Sequence, residues 1–332
     1  MAHFDAYSRL INYLRIAVTD RCNLRCIYCM PPEGVPWRPH EAILRYEEIV
    51  TVVRAAAELG ISRVRLTGGE PLVRLGIVDL VRLLSRIPGI EDLAMTTNGI
   101  LLSRYAQALA EAGLQRVNVS LDTLRADRFQ QITRWGQIAD VLAGIEAAHR
   151  AGLEPVKINT VVIRGMNDDE VVDLARQTIE AEWNVRFIEW MPVGNTQGVV
   201  EGEWQKKVVT AKEMQEKIEA ALGALEPAKL GSGGGPARYY RLAGAKGTIG
   251  FITPLSEHFC YHCNRLRLTA DGQLRPCLLS DREIDLRTPL RQGADVAHIK
   301  ALILQGIESK PLRHHLSECE LPENRTMSQI GG

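Results

Sequence analysis

The chain has 332 residues, 45% hydrophobic and 24% charged, and its 40 Lys and Arg residues balance 40 Asp and Glu residues for a formal net charge of zero. This composition excludes a disordered tail, a collagen-like rod or a disulfide-rich miniprotein, and the length allows one large α/β domain or two smaller ones. Without a global positive charge a coat for DNA or anionic lipid is not expected, so an anionic ligand would have to be met in a local pocket.

From residue 13 to about 190, short β-branched runs alternate with longer stretches of helical period. Strands are predicted over 14–18, 63–66, 92–96, 116–120, 156–163 and 184–188. Helices are predicted between them over 47–59, 76–86, 103–112, 137–151 and 168–181, with Gly60, Gly113 and Gly152 as C-terminal stops. Strand–helix–strand units repeated in this way build a parallel sheet, because each return to the same edge needs a crossover helix. Site loops follow the strands: Thr67-Gly68-Gly69-Glu70-Pro71 after the second, Thr97-Asn98-Gly99 after the third and Asp122 after the fourth. Chemistry collects at such C-terminal strand ends.

Beyond Met191 the pattern changes. Residues 193–209 read as a polar loop, 212–222 as a helix and 247–279 as short strands. The glycine run at 231–235 lacks the Gly-Lys-Ser/Thr ending of a P-loop and reads as a plain loop. A soft boundary near 195–230 therefore divides 1–195 from 196–332. The start, MAHFDAYSRL, has no apolar core of a signal peptide, and no apolar run of about 18 residues exists to span a membrane. A cytoplasmic location is expected.

Seven cysteines stand at 22, 26, 29, 260, 263, 277 and 319, six of them in two triplets. In a reducing compartment, clustered thiols suggest metal or catalysis before disulfides. Cys22, Cys26 and Cys29, spaced C-x₃-C-x₂-C in the loop after the first strand, can hold three corners of a [4Fe–4S] cube and leave one iron open to substrate. Structural zinc competes, but a closed zinc site wants four ligands at paired spacings, and the nearest His is His40. Cys260, Cys263 and Cys277 offer three more thiolates; with His258 and His262 beside them, spacing alone leaves zinc and iron–sulfur open. Cys319, in the tail, reads as incidental.

The first triplet, with Tyr28 before its last Cys, resembles the radical S-adenosylmethionine (SAM) superfamily, whose fold is a partial (β/α)₆ TIM-like barrel. Gly68-Gly69-Glu70-Pro71 resembles that superfamily's GGE motif, which implies a backbone that holds the methionine amino group of SAM. The segments LRIAVTDRC (14–22), RFIEWMPVG (186–194) and CNRLRLTADG (263–272), with the final Gly331-Gly332, closely resemble the GTP 3′,8-cyclases of molybdenum cofactor biosynthesis. That likeness runs from about residue 10 to the C-terminus. It implies an α/β radical SAM barrel with a C-terminal extension carrying a second [4Fe–4S] cluster on Cys260, Cys263 and Cys277, whose open iron contacts guanine.

The implied reaction takes the ribose 3′ hydrogen of GTP with a 5′-deoxyadenosyl radical, joins C3′ to C8 and yields 3′,8-cyclo-7,8-dihydro-GTP. By the same matching, Tyr28, Gly68, Gly69, Glu70, Ser120 and Met191 resemble SAM-binding positions and Thr96 a GTP-contacting one. Arg267 is implied in the last electron or proton step, and the Gly331-Gly332 tail in entering the active site. The implied partners are GTP, a low-potential electron donor, a separate cyclic pyranopterin monophosphate synthase that takes the product, and a second copy in a homodimer.

A triphosphate brings about four negative charges, which a neutral protein must meet with Arg forks and Lys point charges. Candidates expected at strand ends facing one cavity are Arg15, Arg63, Arg65, Lys157, Arg186, Arg265 and Arg267. Strand alternation puts 63 with 65, and 265 with 267, on one face, and an inward Arg is costly unless an anion awaits it. The family often has Lys where Arg63 stands, which keeps the charge. Two other readings fit the cysteines: a radical SAM peptide maturase with an auxiliary cluster, and a non-catalytic zinc module for nucleic acid, which the zero net charge does not encourage.

Overall fold

Six strand–helix units form where the periodicity places them: β1 (Tyr13–Ala17), α1 (Tyr46–Glu58), β2 (Arg63–Thr67), α2 (Ile77–Ser85), β3 (Asp92–Thr97), α3 (Leu102–Glu111), β4 (Arg116–Ser120), α4 (Ala126–Thr133), α5 (Ile138–Arg150), β5 (Lys157–Val162), α6 (Val171–Glu180) and β6 (Asn184–Glu189). The computed structural model describes residues 3–36, 38–193, 203–230, 234–314, 316 and 324–331. Cys319, Gly332 and much of the expected loops at 193–209 and 231–235 lie outside those residues. Helix α4 is not foreseen by periodicity, being eight residues long and mostly polar, with only Phe129, Ile132 and Thr133 buried. Helix α6 begins three residues later than expected, because the Asp168 carboxylate accepts from the Gly165 backbone N–H at 2.7 Å and holds a turn there.

Alternation along the strands sorts the two faces of the sheet. Leu14, Ile16, Val64 and Leu66 face the helices and are buried, as are Val52, Val53 and Ala56 on the inward side of α1. Each such branched side chain is worth about 1.5–3 kcal/mol when fully buried. The intervening positions, Tyr13, Arg15 and Arg65 among them, turn to the inner face.

The C-terminal region adds α7 (Ala211–Leu222), β7 (Leu225–Ala228), β8 (Arg238–Leu242), β9 (Thr248–Ile252), β10 (Arg265–Leu268), β11 (Gln273–Arg275), β12 (Ile284–Asp285), α8 (Arg287–Arg291), α9 (Val296–Glu308) and α10 (Met327–Ile330). It does not form a separate layer. Strand β10 pairs in parallel with β1, and β9 in parallel with β6, so one sheet runs β12-β11-β10-β1-β2-β3-β4-β5-β6-β9-β8-β7. Its eight central strands are parallel, and antiparallel strands finish both edges. The β1–β10 register sets Tyr13 beside Arg265 and Arg15 beside Arg267. Among the described residues no helix is long and apolar enough to cross a membrane.

Candidate active site

A cavity of about 310 Å³ opens on the inner face of the sheet, and both cysteine triplets line it. A second cavity, about 20 Å³, lies behind Cys26 and Tyr28. The chemistry therefore concentrates in one place.

The first triplet is set by backbone packing. Gly69 N–H donates to Thr19 O and Glu70 N–H to Arg21 O, both at 2.8 Å. This brings the turn after β2 so close to the strand leading into Cys22 that a Cβ on Gly68 would lie 2.4 Å from Thr19 O, and one on Gly69 2.3 Å from Arg21 O. Glycine is thus required at both positions for close approach. The buried Glu70 carboxylate accepts from Leu72 N–H at 3.0 Å, Thr97 Oγ1 at 2.7 Å and Asn98 N–H at 2.7 Å. Burial nevertheless pushes its carboxyl up to about 7. On the far side, Arg25 N–H and Ile27 N–H donate to the carbonyls of Thr133 and Ile132 at the end of α4. Tyr28 OH donates to Asp122, whose own carboxyl burial raises to about 6.

Burial pushes the Cys22 thiol up to about 11 and that of Cys29 to about 12. A cationic metal centre is what would turn these buried thiols into thiolates, so the donor set fits an iron–sulfur cluster. Among the described residues no group of three or more His, Cys, Asp or Glu side chains is placed to hold a single metal ion.

The second triplet sits on a 3₁₀ turn, Cys260–His262, and on the segment after β11. Burial alone would raise the Cys263 thiol, but the Arg265 guanidinium and Lys310 ammonium pull it down to about 6. Lys310 Nζ ties the two cysteine loops together, donating to Arg265 O at 2.8 Å and Pro276 O at 2.6 Å. Arg9 Nη1 donates to Cys260 O at 2.8 Å. The buried Glu189 carboxylate at the end of β6 accepts from Leu255 and Ser256 N–H, both at 3.0 Å. Neither motif nor spacing singles out Lys310, Arg9 or Glu189, although Glu189 lies within the RFIEWMPVG segment; their partners come from the C-terminal region.

Six of the seven expected cations line the cavity: Arg15, Arg65, Lys157, Arg186, Arg265 and Arg267. Two of the six stand at a strand end as expected and four do not. Lys157 and Arg265 are the first residues of their strands and the other four are third, because every second residue of a strand faces inward over its whole length. Burial, then Arg186, Arg116 and Arg65, push Lys157 down to about 6, and burial with Arg265 lowers Arg267 to about 10. Burial would raise the Tyr13 phenol, yet Arg65 and Arg15 hold it below its ordinary value. Arg65 Nη1, Arg186 Nε and Thr96 Oγ1 are buried with no hydrogen-bond partner among the described residues. Such groups are costly unless a polar ligand satisfies them.

Arg63 is absent from the cavity lining; its guanidinium lies against Gly234, where a Cβ would come within 1.8 Å of Nη1. Ser120, Met191, Tyr28, Gly68 and Gly69 line the cavity, and Glu70 is buried just behind it. Gly331, at φ +72°, offers its carbonyl to Arg267 Nη1 and, at 3.4 Å, to Arg15 Nη2.

Residues 16–178 match the Radical SAM superfamily and residues 183–316 the Molybdenum Cofactor Synthesis C family. Similar sequences include the GTP 3′,8-cyclases of Pelotomaculum thermopropionicum, 60% identical, and of Heliobacterium modesticaldum and Moorella thermoacetica, each 54% identical, all covering 99% of both chains. Among solved structures, Streptococcus suis SuiB bound to precursor peptide SuiA superposes with a TM-score of 0.59 at 14% identity, over 82% of this chain and 61% of that one. Native anSMEcpe with bound AdoMet superposes with a TM-score of 0.55 at 14% identity, over 93% and 82%. At such identity these two likenesses concern the fold alone.

Proposed function

The chain belongs to the GTP 3′,8-cyclase family of radical SAM enzymes, and from that premise we propose how its own residues divide the work. It is an enzyme that cyclises GTP to 3′,8-cyclo-7,8-dihydro-GTP, the first step of molybdenum cofactor biosynthesis, with two [4Fe–4S] clusters and SAM as cofactors. One observation supports the reading most: two cysteine triplets and six cations, four of them buried, open on the same cavity. A peptide maturase would have no need of that many desolvated cations, and a zinc module would not place them inside a barrel.

When bound, the first cluster and SAM supply a 5′-deoxyadenosyl radical able to take the ribose 3′ hydrogen. In this assignment Cys22, Cys26 and Cys29 hold that cluster, while Cys260, Cys263 and Cys277 hold the second and leave one iron for guanine. Tyr28, Gly68, Gly69, Ser120 and Met191 shape the SAM seat, and Glu70, tied to three donors, fixes the loop beneath it. Arg15, Arg65, Lys157, Arg186 and Arg265 neutralise the triphosphate, Thr96 contacts the nucleotide, and Arg63 adds charge from outside the lining. Arg267 holds or moves the proton that accompanies the final electron, with the Gly331 carbonyl against its guanidinium. Segment 1–195 thereby provides the SAM half of the site, and 196–332 the second cluster and the tail. A low-potential donor supplies electrons, the product passes to a cyclic pyranopterin monophosphate synthase, and the enzyme works as a cytoplasmic homodimer.

Anaerobically reconstituted protein given GTP, SAM and dithionite is expected to yield 5′-deoxyadenosine together with the cyclised nucleotide. Clean SAM cleavage with no consumption of GTP would overturn the substrate assignment.

Lys157 gives a pH signature. Its native pKa, about 6, is far below the 10.5 of an exposed lysine, so between those values the unfolded chain holds a proton that the native one lacks. Native stability from this group therefore rises with pH across that window, and its cost is fully present below it. A bound triphosphate offsets the neighbouring cations and returns the proton. Calorimetry of GTP binding near pH 8, repeated in buffers of different ionisation enthalpy, is expected to show uptake of about one proton, lost in Lys157→Met. Equal uptake by both proteins would contradict this.

A further inference from the structure

We propose that Arg325 is a positioning residue for the reaction, clasping Asp271 and Glu283 so that Gly331 reaches Arg267 and Arg15. The inference rests on the assignment of the cavity to GTP. Arg325 Nη1 and Nη2 donate to Asp271 Oδ1 and Oδ2 at 2.9 and 3.0 Å, a bidentate fork. The same guanidinium reaches Glu283, with Nη2 to Oε2 at 2.8 Å and Nε to Oε1. Arg325 is 6% exposed and Asp271 4%, so solvent screens the pairs little.

The clasp is braced from behind. Fully buried Arg275 donates to Glu283 Oε1 and, at 2.9 Å, to Asn324 Oδ1. Asp271 also accepts from Thr269 Oγ1 at 2.6 Å and pairs with Arg38 at 3.2 Å. Asp271 lies in the β10–β11 turn and Glu283 immediately precedes β12, so the two carboxylates bracket Cys277 in the chain. The planar guanidinium forks both oxygens of Asp271 while also reaching Glu283; a lysine ammonium, with its donors on one nitrogen, cannot reproduce that bidentate geometry.

Downstream of Arg325 the chain enters α10, where Thr326 N–H donates to Gln329 Oε1 at 3.0 Å. Four helical residues have no stability of their own, so α10 stands where its anchor places it. Ser328 and Ile330 are buried, Ser328 lines the cavity shared by both triplets, and the Gly331 carbonyl meets Arg267 and Arg15. The tail thus lies between the two triplets at a depth set six residues upstream.

The test uses full-length holoenzyme carrying Arg325→Lys or Arg325→Met, with the exposed Arg282→Met as control. Hydrogen exchange of the amides of 327–331 is expected to speed by about tenfold or more in both Arg325 variants, while those of β1, β2 and β10 stay protected. The kcat for cyclisation is expected to fall about tenfold or more, with the KM for SAM and the iron content unchanged. Unchanged tail exchange overturns the proposal, as does faster exchange with unaltered cyclisation. Should Arg325→Met lose iron or core protection, Arg325→Lys and Asp271→Asn decide; if they too lose iron in proportion to product, Arg325 is only structural and the proposal falls. The exchange measurement requires no GTP, so a wild-type protein that ignored GTP would refute the substrate reading and leave the clasp to be judged separately.

Discussion

Cys26→Ser is expected to abolish SAM cleavage, with iron falling from about eight to about four atoms per chain as one of two [4Fe–4S] clusters is lost. The backbone should survive the change. The Cys26 carbonyl accepts from Cys29 and Met30 N–H, and its neighbours Arg25 and Ile27 are bonded to the end of α4, none of which involves the thiol. What disappears is one of three soft ligands, and a serine hydroxyl is a poor substitute for thiolate sulfur on iron. Cys263→Ser should lose a similar share of iron and behave differently, retaining SAM cleavage while failing to cyclise GTP. Iron analysis, cluster spectroscopy and quantitation of 5′-deoxyadenosine separate the two variants. Continued 5′-deoxyadenosine formation by Cys26→Ser would refute the assignment of the first triplet.

Gly331→Ala should disable the tail with a single added methyl group. Gly331 has φ +72°, and an added Cβ would lie 2.6 Å from Thr67 Cγ2 and 3.3 Å from Ala17 Cβ. The left-handed backbone costs an alanine about 1–2 kcal/mol, which alone depopulates the docked tail about five- to thirtyfold, and the contact with Thr67 adds to it. Undocking removes the carbonyl held by Arg267 and Arg15 while leaving both cysteine triplets in place. Cyclisation is therefore expected to fall more than about tenfold with both clusters intact and thermal stability nearly unchanged, since chain ends contribute little to the core. A normal cyclisation rate in Gly331→Ala would show that the tail plays no part in turnover.

Much of the site is legible before any fold is known, for local reasons. Cysteine spacing dictates which thiols can share a cube, and Gly68-Gly69 are marked by their resemblance to a motif; that both must be glycine follows only from their contact with Thr19 and Arg21 in the fold. Alternation correctly pairs Arg265 with Arg267 on an inward face. It fails for Arg63, which shares a strand face with Arg65 yet lies against Gly234, because alternation specifies a face and not how far along the barrel a cavity extends. Helix α4 escapes for a related reason: its eight residues are held by packing behind the cysteine loop, and its own apolar periodicity is too short to register.

The sequence by itself determined six strands with helices between them, two cysteine triplets and a set of cations on the strands, since these depend on residue type and short spacing. Only the tertiary structure decided that β10 lies beside β1 and β9 beside β6, which brings Arg267 to Arg15 across 252 positions and turns two distant triplets into walls of one cavity. It likewise decided that Lys310, Arg9, Glu189 and Arg325 are buried braces. Their meaning comes from partners far along the chain, and long-range strand pairing is set by the burial of whole faces, which no local pattern encodes.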